Sequence, residues 1–559
     1  MSFLRNISPK YFLLLILLMG FLLRFNNLTV GFPILYMSND EAIYHLSALN
    51  MLATKSIFSI GNYGPLGSYA QIPFILLSFV VMFLSGKVHN IRDFEFLLVT
   101  QEGYLTFIPR VISALFGVLS VLVIYKLTVE IFESKKAALW ASALFAISFN
   151  LVHVSHLARA WSPAIFFALL SVLFAYKSIK KHDSEFKNVT FAFIFSAISF
   201  GFHQISGMVI ILIILLRLIS SRNLFEKKVI LTNLSALLLW AFLILVFNFL
   251  SVGGDFFKIV SPGNPNVGLI KLPHASDNLF DVLRFYINEG NVQKVFGDLI
   301  KTDGIIVGSA MLFFTKRTNW RREYLPFFLF IFLNFLLVVT VFPPFVRYFL
   351  ISFSLLPIFS GFVLSRVLHL NFTSVIFASI LLLLASLNSI YWNILILKTP
   401  TFSQVHEWVD KNIRSEVPIA YTIRRNFGHV PNARASAPIR EFRPGFYSRA
   451  AELTGETYPP NVRNVVYINE FQTRSKEEDL QRASSVYPVK YVVDSYLGSY
   501  DRLLFNSSSF DFELIVHFSP TGEIVYNYKI PEAFFDAPYN FPLFLVDRPG
   551  PYFDVLKIK

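Results

Sequence analysis

Long apolar blocks separated by short polar stretches recur along residues 1–395 of the chain. A run of about 20 apolar residues crosses the hydrocarbon core of a bilayer as an α-helix. The alternating segments of about ten residues that mark β-barrel strands do not occur. Because only helices and closed barrels satisfy the backbone in lipid, the pattern predicts an all-α polytopic membrane domain. Its predicted spans lie near residues 10–30, 107–127, 137–156, 163–179, 189–203, 205–220, 229–251, 304–316, 324–342, 345–365 and 372–394.

Residues 70–85 are apolar enough to cross a membrane but short for a span. If they do not cross, basic clusters such as Lys135–Lys136 and Lys227–Lys228 share one side with the N-terminus. A crossing would move every later cluster to the opposite side, against the positive-inside rule. We therefore expect an amphipathic or re-entrant helix at the outer face. About 11 spans then leave the N-terminus in the cytoplasm and the C-terminus outside.

The composition changes after Lys398-Thr399-Pro400, and no later block is long enough to span. We expect residues 1–398 to form the transmembrane domain and residues 399–559 a small extracytoplasmic α/β domain. Helical spacing of apolar residues predicts a helix over Phe402–Ile413, with Thr401 or Ser403 as its N-cap. A second helix is predicted at Ser475–Ser485, and short strands at Val465–Ile468, Lys490–Val493, Glu513–Phe518 and Ile524–Lys529.

Composition agrees with a membrane protein. Hydrophobic residues make up 54% of the chain and charged residues 15%, whereas soluble domains carry about 25% charge. The net charge of +13 could indicate nucleic-acid binding, but the basic residues lie at span ends, so topology explains them better. The chain has no cysteine, which excludes disulfides and thiol chemistry. No small-residue cleavage site follows the first apolar block, so we interpret it as a retained span.

An acidic pair, Asp40–Glu41, lies just beyond the outer end of the first span. Adjacent carboxylates repel each other, so one of them can have a raised pKa and act as a general base near neutral pH. The alternative is a solvated pair that caps the following helix, Ala42–Leu52. His45, one turn after Glu41, is placed to orient the pair.

The stretch GFLLRFNNLTVGFPILYMSNDEAIYHLSALNML resembles the opening of GT-C membrane glycosyltransferases of the protein O-mannosyltransferase and aminoarabinose-transferase type. Those proteins show an Arg near the end of the first span and then Asp-Glu-Ala-x-Tyr at the start of an outer helix. Two later stretches, IPRVISALFG and RYFLISFSLLPIFSG, also resemble family motifs, and the likeness runs over residues 11–395. The residues on these patterns are Arg24, Asp40, Glu41, Ala42, Tyr44, Arg110, Arg347 and Tyr348.

The resemblance implies transfer of a sugar from a polyprenyl phosphate donor to a protein, lipid or polysaccharide acceptor at the outer face of the plasma membrane. Asp40 would accept the proton of the acceptor hydroxyl, and Glu41 would orient the acceptor or the sugar. The departing phosphate needs stabilisation by Arg, for which the candidates are Arg347, Arg159 and Arg110. The alternative for each is an interfacial Arg that snorkels to the surface. Further donor-binding candidates are Tyr348, His203 and Gln204, and supporting candidates are Arg24, Tyr44, His45 and His156.

The chain departs from the family pattern at two places. Relatives place an Asp after the Arg that follows the third span, whereas Trp161 stands here. Tyr63-Gly64-Pro65-Leu66 replaces a Lys/His-Pro-Pro stretch. Two alternatives therefore remain for metal dependence: transfer without a metal, or a Mg²⁺ or Mn²⁺ ion with only Asp40 and Glu41 as a thin ligand set.

His153 and His156 share a helical face, and a zinc site there would need a third ligand at the same depth. The alternatives for these histidines are hydrogen bonds to the sugar or phosphate and a purely structural role. For the whole chain, the alternative function is a transporter or a flippase for lipid-linked sugars. That function would favour mid-span charges and inverted repeats, of which the sequence shows few signs.

Overall fold

The computed structural model describes residues 8–31, 41–59, 64–100, 103–180, 185–220, 226–251, 291–315, 322–340, 346–368, 372–422, 429–433, 435, 451–459, 462–468, 475–496, 509–521 and 546–559. The chain divides into two compact units. The first unit comprises Met1–Asn26, Ile43–Ile72 and Pro109–Ile390, and the second comprises Asn27–Ala42, Pro73–Ile108 and Tyr391–Lys559. The predicted boundary at residues 398/399 stays a prediction.

Helices dominate the described part of the chain up to residue 395. Two short 3₁₀ segments, Gln204–Met208 and Val346–Phe349, interrupt them. The helices in chain order are α1 (Pro9–Phe25), α2 (Glu41–Thr54), α3 (Leu66–Tyr69), α4 (Ile72–Leu84), α5 (Ile91–Thr100), α6 (Gly103–Phe132), α7 (Lys135–Ile147), α8 (Phe149–His156), α9 (Trp161–Lys180), α10 (Glu185–Phe202), α11 (Val209–Ser220), α12 (Lys227–Leu250), α13 (Asn291–Thr315), α14 (Leu325–Thr340), α15 (Leu350–Phe353), α16 (Leu356–Val367) and α17 (Phe372–Leu395).

Within the described residues, 5 helical segments are long and apolar enough to cross a membrane, or up to 7 if each bent helix pair is one span. The number of crossings and the side of each terminus stay predictions. The segment Leu66–Leu84, which contains the expected interfacial helix, also has the length and composition of a span, so its surface position stays a prediction as well.

Helix α12 shows why these segments suit lipid. Large apolar side chains three or four residues apart remain exposed along one face, where lipid tails replace water as the surrounding medium. Soluble monomers rarely leave so continuous an apolar surface uncovered. The exposed side chains are Leu231, Leu234, Leu238, Phe242, Leu245 and Phe249.

Two predicted spans are bent rather than continuous. The predicted span 137–156 breaks at Ser148 into α7 and α8, which meet at 51°. The predicted span 345–365 divides into the segments Val346–Phe353 and Leu356–Val367, which meet at 54°. Pro357 lies in the first turn of α16 and lacks a backbone N–H, which explains the second break. The first break depends on side chains from elsewhere and is described below.

The second unit contains a sheet in the order β4-β1-β5-β7-β6. Strand β1 pairs in parallel with both β4 and β5, while β7 runs antiparallel between β5 and β6. These elements confirm a sheet-containing C-terminal region. The strands are β1 (Ile419–Tyr421), β2 (Val430–Pro431), β3 (Val462–Arg463), β4 (Val465–Tyr467), β5 (Tyr491–Tyr496), β6 (Phe512–Phe518) and β7 (Tyr552–Ile558), and the helices are α18 (Thr401–Asn412) and α19 (Lys476–Val486).

Both predicted helices of this region are present, but the predicted N-cap of α18 is wrong. The N-cap position is Pro400, and no side chain caps the helix. The Thr401 hydroxyl instead donates to the carbonyl oxygen of Pro551 at 2.7 Å, so it fastens the helix to the segment before β7. The predicted strand Ile524–Lys529 lies outside the described residues.

Candidate active site and a second polar cluster

The acidic pair is only partly described, because Asp40 lies outside the described residues. Glu41 is the first residue of α2 and is buried. A carboxylate in the first turn is favoured by the helix dipole, so its position agrees with the capping role and leaves the catalytic role as a prediction.

Tyr44, one turn later on α2, anchors this helix inside the first unit. Its hydroxyl donates to the carbonyl oxygen of Phe202 at 3.5 Å. Its ring covers Gly67 so closely that a Cβ there would lie 2.3 Å from the ring carbons. Tyr44 also packs in a core cluster with Ala160 and Phe202. Tyr44 therefore holds α2 and α3 against α9 and α10, and its supporting role at the active site stays a prediction.

Arg24 binds the backbone on one side of the α7–α8 break. This buried side chain donates from Nη1 to the carbonyl oxygen of Ala146 at 2.7 Å and from Nη2 to that of Phe145 at 3.1 Å. Ser389 donates to the carbonyl oxygen of Ile147 at 2.6 Å. Carbonyls at a helix end have no intrahelical donor, and a cation there is also favoured by the helix dipole. Arg24 is therefore a structural support of the bent span.

Asp303 binds the other side of the break. Its carboxylate accepts from the backbone N–H of Phe149 at 3.0 Å and of Asn150 at 3.1 Å, and from the Asn150 side chain at 2.7 Å. Asp303 itself lies at a kink in α13, with φ −137° and ψ 35°. A buried carboxylate inside a membrane helix is costly unless it is bound in this way. Sequence reasoning missed this residue, although an Asp followed by Gly before an apolar run was a visible signal.

The break sets the position of α8, which carries His153 and His156. Both rings are buried. His156 Nδ1 lies 3.0 Å from the carbonyl oxygen of Val152, and the guanidinium groups of Arg24 and Arg110 both act electrostatically on the ring. His153 stacks on Phe149 with ring centroids 5.8 Å apart. No metal-ligating group of three includes either histidine among the residues that the structure describes. Arg24, Arg110 and His156 thus form one polar group around the bent span.

A second group, which we call the Arg–aromatic cluster, consists of Arg159, Trp161, His203, Arg347 and Tyr348. The rings of Trp161 and His203 stack with centroids 3.7 Å apart, and Tyr348 meets Trp161 edge-on at 6.1 Å. The guanidinium carbon of Arg347 lies 5.3 Å from the centre of the Tyr348 ring. Arg159 and Arg347 both act electrostatically on His203. The structure therefore brings together four of the six predicted donor-binding residues and adds Trp161.

The other two predicted donor-binding residues are Gln204 and Arg110, and no described contact joins either of them to this cluster. Gln204 begins the 3₁₀ segment after His203 and is half-buried. Arg110 is fully buried and belongs to the group around the bent span. His45 is buried on α2.

A small pocket of the first unit opens beside the Arg–aromatic cluster. Its walls include Tyr44, Gln71, Pro109, Arg159 and Phe202, and its free volume is about 20 Å³. Arg159 thus belongs to the cluster and to the pocket wall at once. Gln71, on the turn between α3 and α4, was not among the predicted residues.

The second unit holds a separate cluster of His406, Asp410 and His429, whose ligating atoms all lie within 4.8 Å of one another. Asp410 receives His429 Nε2 at 2.9 Å and Arg463 Nε at 2.8 Å on one oxygen, and His406 Nδ1 approaches the other at 3.3 Å. The two imidazoles stack with centroids 3.7 Å apart. Tyr421 lies 2.8 Å from His429 Nδ1.

Hydrogen bonds explain this cluster without a metal. Burial lowers the pKa of both histidines, so they are neutral, and burial by itself would raise the pKa of Asp410. The hydrogen bonds from His429 and Arg463 outweigh that effect and hold the pKa of Asp410 below its usual range. The Arg463 charge beside Asp410 also opposes the binding of a cation. The cluster is therefore best read as a buried network that joins α18 to β1 and β3.

Comparison with known proteins agrees with the resemblance seen in the sequence. Residues 102–247 match the family model described as dolichyl-phosphate-mannose-protein mannosyltransferase. The matched segment carries Arg110, His156, Arg159, His203 and Gln204. Over this segment the chain is similar to that mannosyltransferase family, and the matched segment is about a quarter of the chain. No curated protein sequence matches the chain.

Three solved GT-C structures resemble the chain at low identity. An oligosaccharyltransferase from Archaeoglobus fulgidus, tethered with an acceptor peptide, is 13% identical over 89% of this chain and 70% of that chain, with a TM-score of 0.49. ArnT from Cupriavidus metallidurans, bound to undecaprenyl phosphate, is 12% identical over 91% and 96%, with a TM-score of 0.46. The S. cerevisiae Pmt1–Pmt2 complex, bound to its sugar donor, is 16% identical over 47% and 38%, with a TM-score of 0.34. The likeness to the mannosyltransferase family rests on residues 102–247 and not on these structures.

Proposed function

We propose that this protein is a glycosyltransferase that moves a sugar from a polyprenyl phosphate donor to an acceptor at the outer face of the membrane. The observation that carries the proposal is the Arg–aromatic cluster, in which Arg347 lies over the ring of Tyr348 and Arg159 lines the adjoining pocket. Two guanidinium groups inside an apolar helical unit are costly, and a bound phosphate offsets that cost through charge-assisted hydrogen bonds. Arg159 also lies within the segment that matches the mannosyltransferase family model.

The proposed chemistry joins the role that the family resemblance implies for Asp40 to this cluster. The acceptor hydroxyl loses its proton to Asp40 as its oxygen attacks the anomeric carbon of the sugar. The bond between that carbon and the phosphate oxygen breaks, and the negative charge moves onto the leaving polyprenyl phosphate. Arg347 and Arg159 stabilise this charge where it develops. Glu41 orients the acceptor or the sugar, and Tyr348 and His203 complete the donor site.

Trp161 bears on the question of a metal. The family resemblance predicts a carboxylate at this position, whereas in this chain the indole ring of Trp161 stacks on His203. The described donor set around Arg159 therefore does not suit a divalent cation. We derive no step through a metal, and we assign the stabilisation of the leaving group to arginine.

The test is an assay of the purified full-length protein against farnesyl phosphate carrying mannose, glucose, galactose or 4-aminoarabinose, with membrane extract as the source of acceptors. Mass spectrometry would identify the glycosylated product. The proposal expects release of farnesyl phosphate together with a new glycosylated acceptor. If vesicles that contain the protein move a lipid-linked sugar from one leaflet of their membrane to the other without any glycosyl transfer, the transporter or flippase alternative would be favoured.

A further inference from the structure

Gln71 has a buried acceptor oxygen and lines the small pocket beside the Arg–aromatic cluster. The side chain is 3% exposed and forms part of the pocket wall. Its Nε2 donates to the carbonyl oxygen of Gly67 at 3.1 Å. Its Oε1 is buried and has no hydrogen-bond partner among the residues that the structure describes. A buried acceptor left in this state costs about 1–3 kcal/mol, so a partner is expected there.

The orientation of this amide is fixed by its neighbour. The carbonyl of Gly67 can only accept, so the amide nitrogen must face it and the oxygen must face away. The turn that carries Gln71 is also held firmly. Its backbone N–H donates to Ser68 at 3.0 Å, and the Tyr44 ring covers Gly67 with no room for a Cβ. The oxygen is therefore preorganised to receive a donor.

The remaining pocket wall limits what that donor can be. Arg159 supplies a cation, and the other walls are largely apolar, including Pro109 and Phe202. A ligand that contacts both the Gln71 oxygen and Arg159 carries a hydroxyl donor close to an anion. The volume of about 20 Å³ admits a group the size of one water molecule, which is also the size of one sugar hydroxyl.

We propose that Gln71 is a sugar-binding residue, whose Oε1 accepts a hydrogen bond from a hydroxyl of the donor sugar while Arg159 contacts the adjoining phosphate. This inference rests on the proposed function and names the part of the site that recognises the sugar. A site built to bind a hydroxyl discriminates against ligands that lack it, because its own polar group is then left without a partner. Gln71 is thus a determinant of sugar specificity.

The experiment measures binding rather than turnover. Dissociation constants of farnesyl phosphate and of farnesyl phosphate mannose, glucose and galactose are determined for the purified full-length protein. Wild type should bind at least one sugar-bearing lipid about tenfold more tightly than farnesyl phosphate, as expected for one good hydrogen bond. Gln71→Met should bring that ratio close to one and leave the affinity for farnesyl phosphate unchanged. Gln481→Met, at an exposed position on α19, serves as the control.

A second variant separates recognition from a structural role. Gln71→Glu keeps an acceptor oxygen but loses the donor to Gly67, so it should retain the preference for the sugar-bearing lipid. Equal loss of preference in Gln71→Glu and Gln71→Met would assign the residue to the Gly67 contact and overturn the proposal. A wild-type ratio of one would also overturn it and would mean that the pocket holds only water, while phosphate binding would remain in support of the proposed function. Failure of wild type to bind any of the four lipids would refute the proposed function together with this inference.

Discussion

Replacing Asp303 tests whether the bent span α7–α8 is held by a carboxylate. In Asp303→Ala, the backbone N–H groups of Phe149 and Asn150 lose their acceptor, while the Asn150 side chain keeps its bond of 2.8 Å to the Thr302 hydroxyl. Each buried donor left without a partner costs about 1–3 kcal/mol. Hydrogen bonds in membrane proteins average only about 0.6 kcal/mol where the unfolded chain finds other partners. Since the first turn of a buried helix has no substitute acceptor, we expect a loss of about 2–5 kcal/mol.

The assay is the free energy of unfolding of purified protein in detergent, read from denaturant or thermal titration. Asp303→Asn should lose less, because it keeps one acceptor oxygen. Asp298→Ala is the matched control, since Asp298 is a buried acid on the same helix whose described partner is the Lys301 ammonium at 3.9 Å. If Asp303→Ala and Asp298→Ala destabilise equally, the break is not held by Asp303 and the reasoning is refuted.

Three further predictions follow from described contacts. Arg347→Ala should weaken the binding of farnesyl phosphate mannose by about 10- to 150-fold, because a charged hydrogen bond is lost. The control is Arg366→Ala, which removes an exposed Arg over the Phe362 ring and should leave the affinity unchanged. Equal affinities for the two variants would remove Arg347 from the site. Gly117→Ala would place a Cβ 2.3 Å from the Ser155 hydroxyl and should lower the free energy of unfolding by about 1–3 kcal/mol. The control is Gly297→Ala, whose added Cβ would meet no atom within 4 Å and should not destabilise the protein. Similar losses in the two variants would contradict the packing around Gly117. Burial lowers the pKa of His406 and His429, so the unfolded chain binds more protons below about pH 6.5 and stability falls as pH falls, by about 1.4 kcal/mol per pH unit for each histidine. The protection factors of the α18 amides, which correct the exchange rates for the pH dependence of intrinsic exchange, should therefore fall at pH 5 in wild type and fall less in His429→Gln. Protection factors that do not change with pH would contradict the network.

The apolar pattern of the sequence predicted most helices but neither bend. The length and mean hydropathy of a block indicate whether the segment prefers lipid. They do not indicate which groups bind the backbone N–H and C=O groups of that segment, so they cannot predict where it breaks. The break at Ser148 is stabilised by Arg24 and Asp303, which lie far away in the chain on other helices. Only the tertiary structure shows that an Arg on one helix and an Asp on another bind opposite sides of the same break.

Family motifs drew attention to Arg347 and Tyr348 but not to the residues around them. Arg347, Tyr348, Arg159 and His203 were predicted separately and lie together in the structure. Arg24 was predicted as a supporting residue, but its contacts with backbone carbonyls could not be foreseen from a motif. Gln71 carries no motif at all. The role proposed for Gln71 depends on its buried Oε1 and on the neighbouring carbonyl of Gly67, and the sequence pattern reveals neither.

The central claim is that this chain transfers a sugar from a lipid phosphate with Asp40 as the general base. The most direct measurement is the rate of transfer from the active farnesyl phosphate sugar by wild type and by Asp40→Asn, with donor affinity measured on the same preparations. General-base catalysis contributes about 10²–10⁴-fold, so the account predicts a rate loss of that size with unchanged donor affinity. Equal rates for the two proteins would contradict it.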